Sequence, residues 1–326
     1  MKNYYLFILI PFFTYLILNL RNSICKKLNL IEYSNNKTFH KKDALIFGGV
    51  FIFTGFLFNF FYLIFYDENC LKYFNYVLVF FIFCTALVDD IIKLTPLQKS
   101  ASISIIFFVV LFFDETMRIT SLNSYYFGFL YFSDSKYISF FLPIIFCILF
   151  INAFNFIDGI NGLAAAVGLS IILYIFLKND SLIACFFIIT IYISIFLYLN
   201  LNKNVFLGDA GNYLISILIS ILLIKQNHFT PRQYLSEEIF LLLSVPGIDM
   251  IRLFFFRIKN KKNPFLGDLN HFHHLLIKKF YLQKSLLIYL MLVNIPIYMF
   301  YFLNLDLFFL IFIQIVIYSF LIKKLS

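Results

Sequence analysis

The feature that most constrains this chain is a succession of long apolar runs almost free of charge. Residues 73–88, 137–157 and 181–202 contain no Asp, Glu, Lys or Arg at all. The second and third match, and the first falls one residue short of, the roughly 17–25 residues an α-helix needs to cross a bilayer core. Eleven runs satisfy or approach that length, near 4–20, 44–66, 73–91, 101–113, 138–156, 160–177, 181–201, 210–224, 237–256, 285–304 and 307–322. The fourth is short and is expected to extend into its flanks. Composition agrees: 62% of residues are hydrophobic, 13% are charged, and the mean hydropathy is +0.90. Soluble domains run near 45–50% apolar and about 25% charged, so this excess leaves no polar surface for water. A soluble enzyme, a disordered chain and a nucleic-acid-binding domain are excluded, and no nucleic acid is expected as a partner. The expectation is an all-α polytopic membrane protein of about eleven transmembrane helices, with residues 1–326 as one integral-membrane domain.

The five cysteines (Cys25, Cys70, Cys84, Cys147 and Cys185) show no CxxC spacing, so neither a disulfide framework nor a zinc site is expected. The run 4–20 lacks a small-residue cleavage pattern and reads as a retained span. Alternating the loops across the bilayer puts 19 of the 26 Lys and Arg residues on one side. Basic loops mark the cytoplasmic face, which predicts an outside N-terminus and a cytoplasmic C-terminus. Asp89, Asp90, Asp158, Asp209, Asp249 and Asp268 then fall at or near inner helix ends. An acid at a helix end in the bilayer needs a partner or a task, so chemistry is expected on that face.

Four constellations lie there. Asp89-Asp90 ends the third run, followed by Lys93 and Lys99. Adjacent carboxylates repel and recruit a cation, and an oxygen-only pair suits Mg²⁺; a solvated helix end with its own lysines accounts for the pair equally well. Asn152 and Asn155 stand one helical turn apart, followed by Asp158-Gly159 and Asn161-Gly162. A capped turn explains the second half of this motif but not two amides on one face of an apolar helix. In Phe206-Leu207-Gly208-Asp209-Ala210-Gly211, an acid opens a helix where backbone N–H groups face an anion, and a plain N-cap is the competing explanation. The large inner loop carries Asp249, Arg252, Arg257, Pro264-Phe265, Asp268 and His271-x-His273-His274. Three of the chain's five histidines within four residues, without a cysteine or HExxH spacing, suit an anion-gripping surface better than zinc. Lys37, His40 and Gly48-Gly49 form a weaker feature, the glycines matching close helix packing.

In this order the motifs resemble the polyprenyl-phosphate N-acetylhexosamine-1-phosphate transferases, over nearly the whole chain. The resemblance implies transfer of an N-acetylaminosugar 1-phosphate from a UDP-sugar to polyprenyl (undecaprenyl) phosphate, giving polyprenyl-diphospho-sugar and UMP, with Mg²⁺ (or Mn²⁺) as cofactor. It implies a bacterial cytoplasmic-membrane protein whose active site faces the cytoplasm, serving the first membrane step of a surface glycan; a homodimer is compatible with it. By position, Asp209 is the expected metal ligand, supported by Asp90, with Asp89 orienting the lipid phosphate. Phe206 would stack on the uracil, and Asn152, Asn155, Asp158 and Asn161 would meet the nucleotide. Arg257, Asp268, His271, His273 and His274 would hold the diphosphate and sugar, with Lys93 and Lys99 adding positive charge. The histidine motif favours an aminosugar donor such as UDP-GlcNAc. Three positions depart from the family pattern: Asn161 stands where many members carry Asp, Asn212 where Ser is usual, and the arginine-rich first loop is reduced to Lys37 and His40. The rival class is a transporter or flippase for an anionic substrate, whose site would lie near the midplane of repeated halves; this chain shows no repeat, and its acids gather at one interface.

Overall fold

In hydrocarbon every backbone polar group must be satisfied within the protein, and a helix does this within one segment. The apolar runs accordingly become helices. The structure, a computed structural model, describes residues 5–33, 43–66, 73–132, 135–202, 205–226, 234–263 and 270–325. In chain order it contains α1 (Tyr5–Lys27), β1 (Ile31–Glu32), β2 (Ala44–Ile46), α2 (Gly48–Tyr66), α3 (Tyr73–Ile92), α4 (Pro96–Phe113), β3 (Ser121–Ser124), β4 (Gly128–Tyr131), α5 (Lys136–Ile157), α6 (Leu163–Lys178), α7 (Ser181–Asn202), β5 (Val205–Phe206), α8 (Gly208–Gln226), α9 (Ser236–Lys259), α10 (Phe272–Lys279), α11 (Leu282–Leu303) and α12 (Leu307–Leu325). One 3₁₀ turn (Glu115–Met117) precedes β3.

Each of the eleven expected runs contains a helix, although the second begins with the strand β2. Among the described residues eight helices are long and apolar enough to span a bilayer, and Gly48–Ile64 and Leu163–Lys178 are shorter apolar helices. The fourth run gains length at its start, where Thr95 and Gln98 form a reciprocal cap: Gln98 N donates to Thr95 Oγ1 at 3.3 Å and Thr95 N to Gln98 Oε1 at 2.9 Å. Pro96 fits the first helical position, whose N–H has no intrahelical partner in any case. Large side chains such as Phe80, Phe108, Phe312 and Phe320 project outward, as a lipid-facing surface requires.

Packing divides the chain into two units, residues 1–110 with 172–215, and residues 111–171 with 216–326. In the first, α2 packs on α7, α3 and α1. Between α1 and α7 the hydroxyls of Thr14 and Tyr192 are 2.6 Å apart, and Asn59 on α2 donates to Tyr76 on α3 at 3.0 Å. A small sheet of order β1-β2-β5 tethers the helix starts: β1 runs antiparallel to β2, and β2 pairs in parallel with β5, placing Ile46 opposite Phe206. The expected close packing at Gly48-Gly49 is present, because a Cβ on Gly49 would lie 2.9 Å from Gly211 N at the start of α8.

In the second unit α9 is the centre, packed by α5, α11 and α12, while α10 rests on α11 and α12. Gln314 of α12 joins the three long helices at the centre: its side chain accepts from Ser244 Oγ on α9 at 2.5 Å and donates to Leu292 O on α11 at 2.9 Å. β3 and β4 form a hairpin between α4 and α5.

One expectation is corrected. Cys25, Cys84 and Cys147 are free, but Cys185 is disulfide-bonded. Pairing depends on which residues the fold brings together, and sequence spacing does not report that.

Candidate functional site

In the first unit the site is built from the ends of α3, α4 and α8. The start of α8 exposes N–H groups with no intrahelical acceptor, and the carboxylate of Asp90, from α3, accepts two of them. Asp209 N donates to its Oδ1 at 2.7 Å and Ala210 N to its Oδ2 at 3.0 Å. The anion expected at this helix start is therefore the chain's own Asp90. Gly208 permits the contact: its φ is +72°, and a Cβ there would lie 2.9 Å from Asp90 Oδ2. This cap also decides between the two explanations of Asp209. Asp209 stands in the first turn, not at the cap, and its carboxylate is turned to other partners.

Those partners are Asp89 and Lys99. Asp89 Oδ1 accepts from Leu94 N at 2.8 Å, closing the turn out of α3. Its Oδ2 forms an ion pair with Lys99, whose Nζ also lies 3.3 Å from Asp209 Oδ2. One turn into α4, Lys99 is held there by the Thr95–Gln98 cap. Two carboxylates from different helices thus face one cationic atom, with hard oxygen donors throughout. Lys93 follows α3 in a left-handed conformation (φ +56°) and is exposed, near enough for its charge to act on Asp90 and Asp209. Phe206, half-buried on β5, stands two residues before Gly208. Tyr213, one turn along α8, is buried within electrostatic reach of Asp89, Asp90 and Asp209; the sequence reading did not single it out.

Asp90 was expected to support Asp209 as a metal ligand. Each of its oxygens accepts one amide N–H, and the carboxylate that shares Lys99 with Asp209 is that of Asp89. The described residues contain no group of three or more His, Cys, Asp or Glu able to hold a metal.

In the second unit the histidines open α10. Asp249, on α9, is 2% exposed and accepts from His271 Nδ1 at 2.9 Å, Phe272 N at 3.2 Å, Tyr318 Oη at 2.6 Å and Arg252 at 2.8 Å. It therefore caps α10 and fixes the His271 ring in one act. Arg252 also donates to Tyr318 Oη and to Asn270 O. The other ring nitrogen of His271 lies 3.4 Å from Arg257 Nη2. Phe156 of α5 stacks on His271 at 5.2 Å between centroids and carries the Arg257 guanidinium at 5.9 Å from its own. Sequence placed Asp249 among the inner-face acids but the resemblance assigned it no role; its signal was Arg252 three residues on, the same helix face.

His271, His273 and His274 are all buried, and the His273 and His274 rings lie 4.2 Å apart between centroids. Both ring nitrogens of His273 lack a hydrogen-bond partner among the described residues. Burial, then the charges of His274 and His271, hold its imidazole well below the usual range. Gly159 explains part of the Asp158-Gly159 motif: a Cβ there would collide with His273 Nε2 and stand 2.8 Å from His274 Nε2. Asp158 is the C-cap of α5, and its N–H donates to Asn155 O. Asn152 donates to Ile148 O of its own helix at 2.7 Å, so its amide N–H₂ is partly spent on α5. Asn155 and Asn161 are half-buried. Asp268, with Pro264 and Phe265, lies outside the described residues, as do Lys37 and His40.

Comparison with known proteins gives the same direction as these motifs. The profile described as Glycosyl transferase family 4 matches residues 73–227, a segment containing Asp89, Asp90, Asp158 and Asp209. The undecaprenyl-phosphate alpha-N-acetylglucosaminyl 1-phosphate transferase of Escherichia coli K12 is 26% identical over 294 residues, covering 82% of this chain and 74% of that protein. The chain is thus similar, in part or over most of its length, to undecaprenyl-phosphate alpha-N-acetylglucosaminyl 1-phosphate transferases. The protein of the same description from Thermotoga maritima is 33% identical over 150 residues, covering 45% of this chain and 47% of the relative. That from Yersinia pestis is 30% identical over 139 residues, or 39% and 38%.

Two measurements test this geometry. Asp90→Ala and Asp249→Ala should each lower the melting temperature in detergent, the first by the equivalent of about 1 kcal/mol for a lost cap. Asp249→Ala should cost more, because Arg252 and His271 lose a partner with α10; equal melting of wild type and both variants would contradict the capping role. For His273, the folded state holds a neutral ring, while the unfolded chain protonates near about pH 6.5. The unfolded state then binds more protons below that pH, so stability is full above it and declines as pH falls. Melting temperatures from about pH 8 to about pH 5 should show that decline, and His273→Gln should flatten it.

Proposed function

We propose that this protein transfers an N-acetylaminosugar 1-phosphate, GlcNAc-1-phosphate or a close relative, from a UDP-sugar to undecaprenyl phosphate, releasing UMP. The observation that carries this reading is the juxtaposition of Asp89, Asp209 and Lys99 at the ends of three apolar helices, in a chain whose relatives are named undecaprenyl-phosphate alpha-N-acetylglucosaminyl 1-phosphate transferases. The membrane location proposed is the bacterial cytoplasmic membrane, with these residues on the cytoplasmic face, as the excess of basic loops there supports.

The residues present fit a divalent ion. Two carboxylates already converge on one positive atom, and Mg²⁺ takes one or two carboxylates together with phosphate oxygens and water. Asp209 would hold it, with Asp89 in place of Asp90 as its neighbour. Bound there, Mg²⁺ would offset the charge that accumulates on transferring phosphoryl oxygens.

The chain's own groups supply the rest. Transfer requires an oxygen of the lipid phosphate to form a bond to the β-phosphorus as the bond to the UMP oxygen breaks, and positioning with charge stabilisation dominates such a step. The lipid phosphate is already an anionic nucleophile near neutral pH, so Asp89 need not remove a proton; held by Leu94 N–H, it fixes where Lys99 stands. Lys99 and Lys93 attract the phosphate dianion. Phe206 offers an aromatic face two residues from α8, suited to a pyrimidine. In the second unit, Arg257 and the histidine cluster are suited to donor phosphate and sugar oxygens. The unpartnered nitrogens of the neutral His273 ring provide one hydrogen-bond donor and one acceptor, a combination that suits a hydroxyl or an acetamido group. That unit also contains an apolar groove of about 420 Å³ along α5 and α9, lined by Leu142, Phe146, Phe150, Leu243 and Ile248 among others, suited to an isoprenoid chain.

Purified protein supplied with undecaprenyl phosphate, Mg²⁺ and a panel of UDP-sugars should release UMP with an N-acetylaminosugar donor; no release with any donor would remove the proposal, as would accumulation of an unmodified anion across sealed vesicles. Asp209→Asn should reduce UMP release by roughly 10²–10³-fold, the size of a lost charge-stabilising group, while the protein remains membrane-inserted. Asp89→Asn should lower the rate more than it weakens nucleotide binding, which single-turnover kinetics against nucleotide titration would separate.

A further inference from the structure

The hairpin β3–β4 is unlike the other connections. Between Arg118 and Asp134 there is no charged residue, and the segment reads Tyr125-Tyr126-Phe127-Gly128-Phe129-Leu130-Tyr131-Phe132. Register is Ser121 opposite Tyr131 through Ser124 opposite Gly128. β3 buries Ser121 and Ser124, whereas every residue of β4 is exposed. Phe127 is 75% exposed and Tyr131 69%. A strand half-covered by protein would alternate apolar and polar residues. β4 does not: Phe129 and Tyr131 stack on one face at 5.9 Å, and Leu130 occupies the other.

The hairpin is firmly held. Glu237 at the start of α9 accepts from Ser124 Oγ at 2.5 Å and Tyr125 N at 3.0 Å. Ser236 donates to Asn123 O at 3.1 Å. Tyr126 hydrogen-bonds Asp306 through its hydroxyl and lays its ring on Phe308 at 4.2 Å, just before and within the first turn of α12. These polar contacts tie the hairpin to the helices, and the aromatic strand is presented outward in a fixed orientation. It stands at the N-terminal end of α5, about 33 Å along that helix from the Phe156 and Gly159 end that packs on the histidines.

We propose that this hairpin is an interfacial anchor, lying with Phe127, Phe129, Leu130 and Tyr131 in the boundary between headgroups and acyl chains of the leaflet opposite the histidine cluster. Continuity identifies lipid as the occupant. The hairpin joins the ends of two spans whose adjoining residues Phe112, Phe113, Tyr137 and Phe141 are themselves exposed apolar side chains, so the outward face of β4 extends a lipid-facing surface. Tyrosine suits that depth, with an apolar ring and a hydroxyl that reaches water. The open edge of a two-stranded ribbon fixes the limit of insertion, because its unpaired N–H and C=O groups would be orphaned in hydrocarbon. In water the same uncharged aromatic edge would invite strand-to-strand aggregation.

The chain contains no tryptophan, so Phe129→Trp introduces a single tryptophan that can be excited selectively over tyrosine, and Tyr131→Trp gives a second position should the first fail to fold. Each variant, its melting temperature first compared with wild type, is reconstituted into phosphatidylethanolamine–phosphatidylglycerol vesicles with bromines placed on the acyl chains near the headgroup or near the bilayer centre. The expected result is blue-shifted emission, quenched several-fold more by shallow than by deep bromines and little by iodide. Val316→Trp, on the exposed face near the middle of α12, should show the reverse depth preference. Free quenching by iodide without quenching by bromolipid would place the hairpin in water and overturn the proposal. Shielding from both quenchers would overturn it too, since a second copy or another protein would then cover β4.

Discussion

A helix that begins inside a membrane protein has several N–H groups and no water to receive them, and the organisation of both units follows from how that demand is met. In each, a carboxylate on a neighbouring helix supplies the acceptor. Asp90 of α3 caps α8, and Asp249 of α9 caps α10. The helix so capped is the one that carries the candidate chemistry, Asp209 on α8 and the histidines on α10. Because α8 is capped from outside, Asp209 is released from that task and turns to Lys99 and Asp89. Because Asp249 holds Phe272 N–H and His271 Nδ1 together, the orientation of the ring and the start of the helix cannot vary independently. A charged acceptor near a helix N-terminus also gains from the helix dipole, which makes a buried acid tolerable where an isolated one is not.

The helices were legible because their signal is local. Length and hydropathy alone located all eleven long helices, and the short fourth run was completed by a cap, Thr95 to Gln98, that is itself written in four consecutive residues. The approach of Asp89 and Asp209 was legible only as two motifs that each needed a partner. The division of labour between Asp89 and Asp90 was not, since adjacent residues on a helix point about 100° apart and only the position of α8 decides which one meets its amides. The partners of Asp249 were hidden for the same reason: two of them, His271 and Tyr318, are 22 and 69 residues away. α10 and the strands escaped the hydropathy reading because they are too short for periodicity to register, and Cys185 because no spacing rule applied.

The glycines divide into two kinds of service. Gly208 adopts a backbone conformation that brings Asp90 against α8, whereas Gly159 leaves room for two imidazoles. A turn signal in sequence is the same in both cases. Only the neighbour across the gap, a carboxylate in one and a histidine in the other, shows that each glycine is part of a site and not merely of a bend. In sequence the amides Asn152 and Asn155, not the Asp-Gly turn, called for a function, yet Asn152 proves to donate within its own helix, and the closer link to the histidines runs through the glycine.

The two interhelical caps also differ in how soon they can form as the chain leaves the ribosome. Asp249 awaits an amide only 23 residues downstream, so the start of α10 can be secured almost as soon as α9 is threaded into the bilayer. Asp90 awaits an amide 119 residues later, after four further long helices have been made. Throughout that interval its carboxylate has no permanent receiver, and α3 must be stored at the membrane with an acid at its end. Maturation of the aspartate cluster is therefore a late event in biogenesis, gated by arrival of α8.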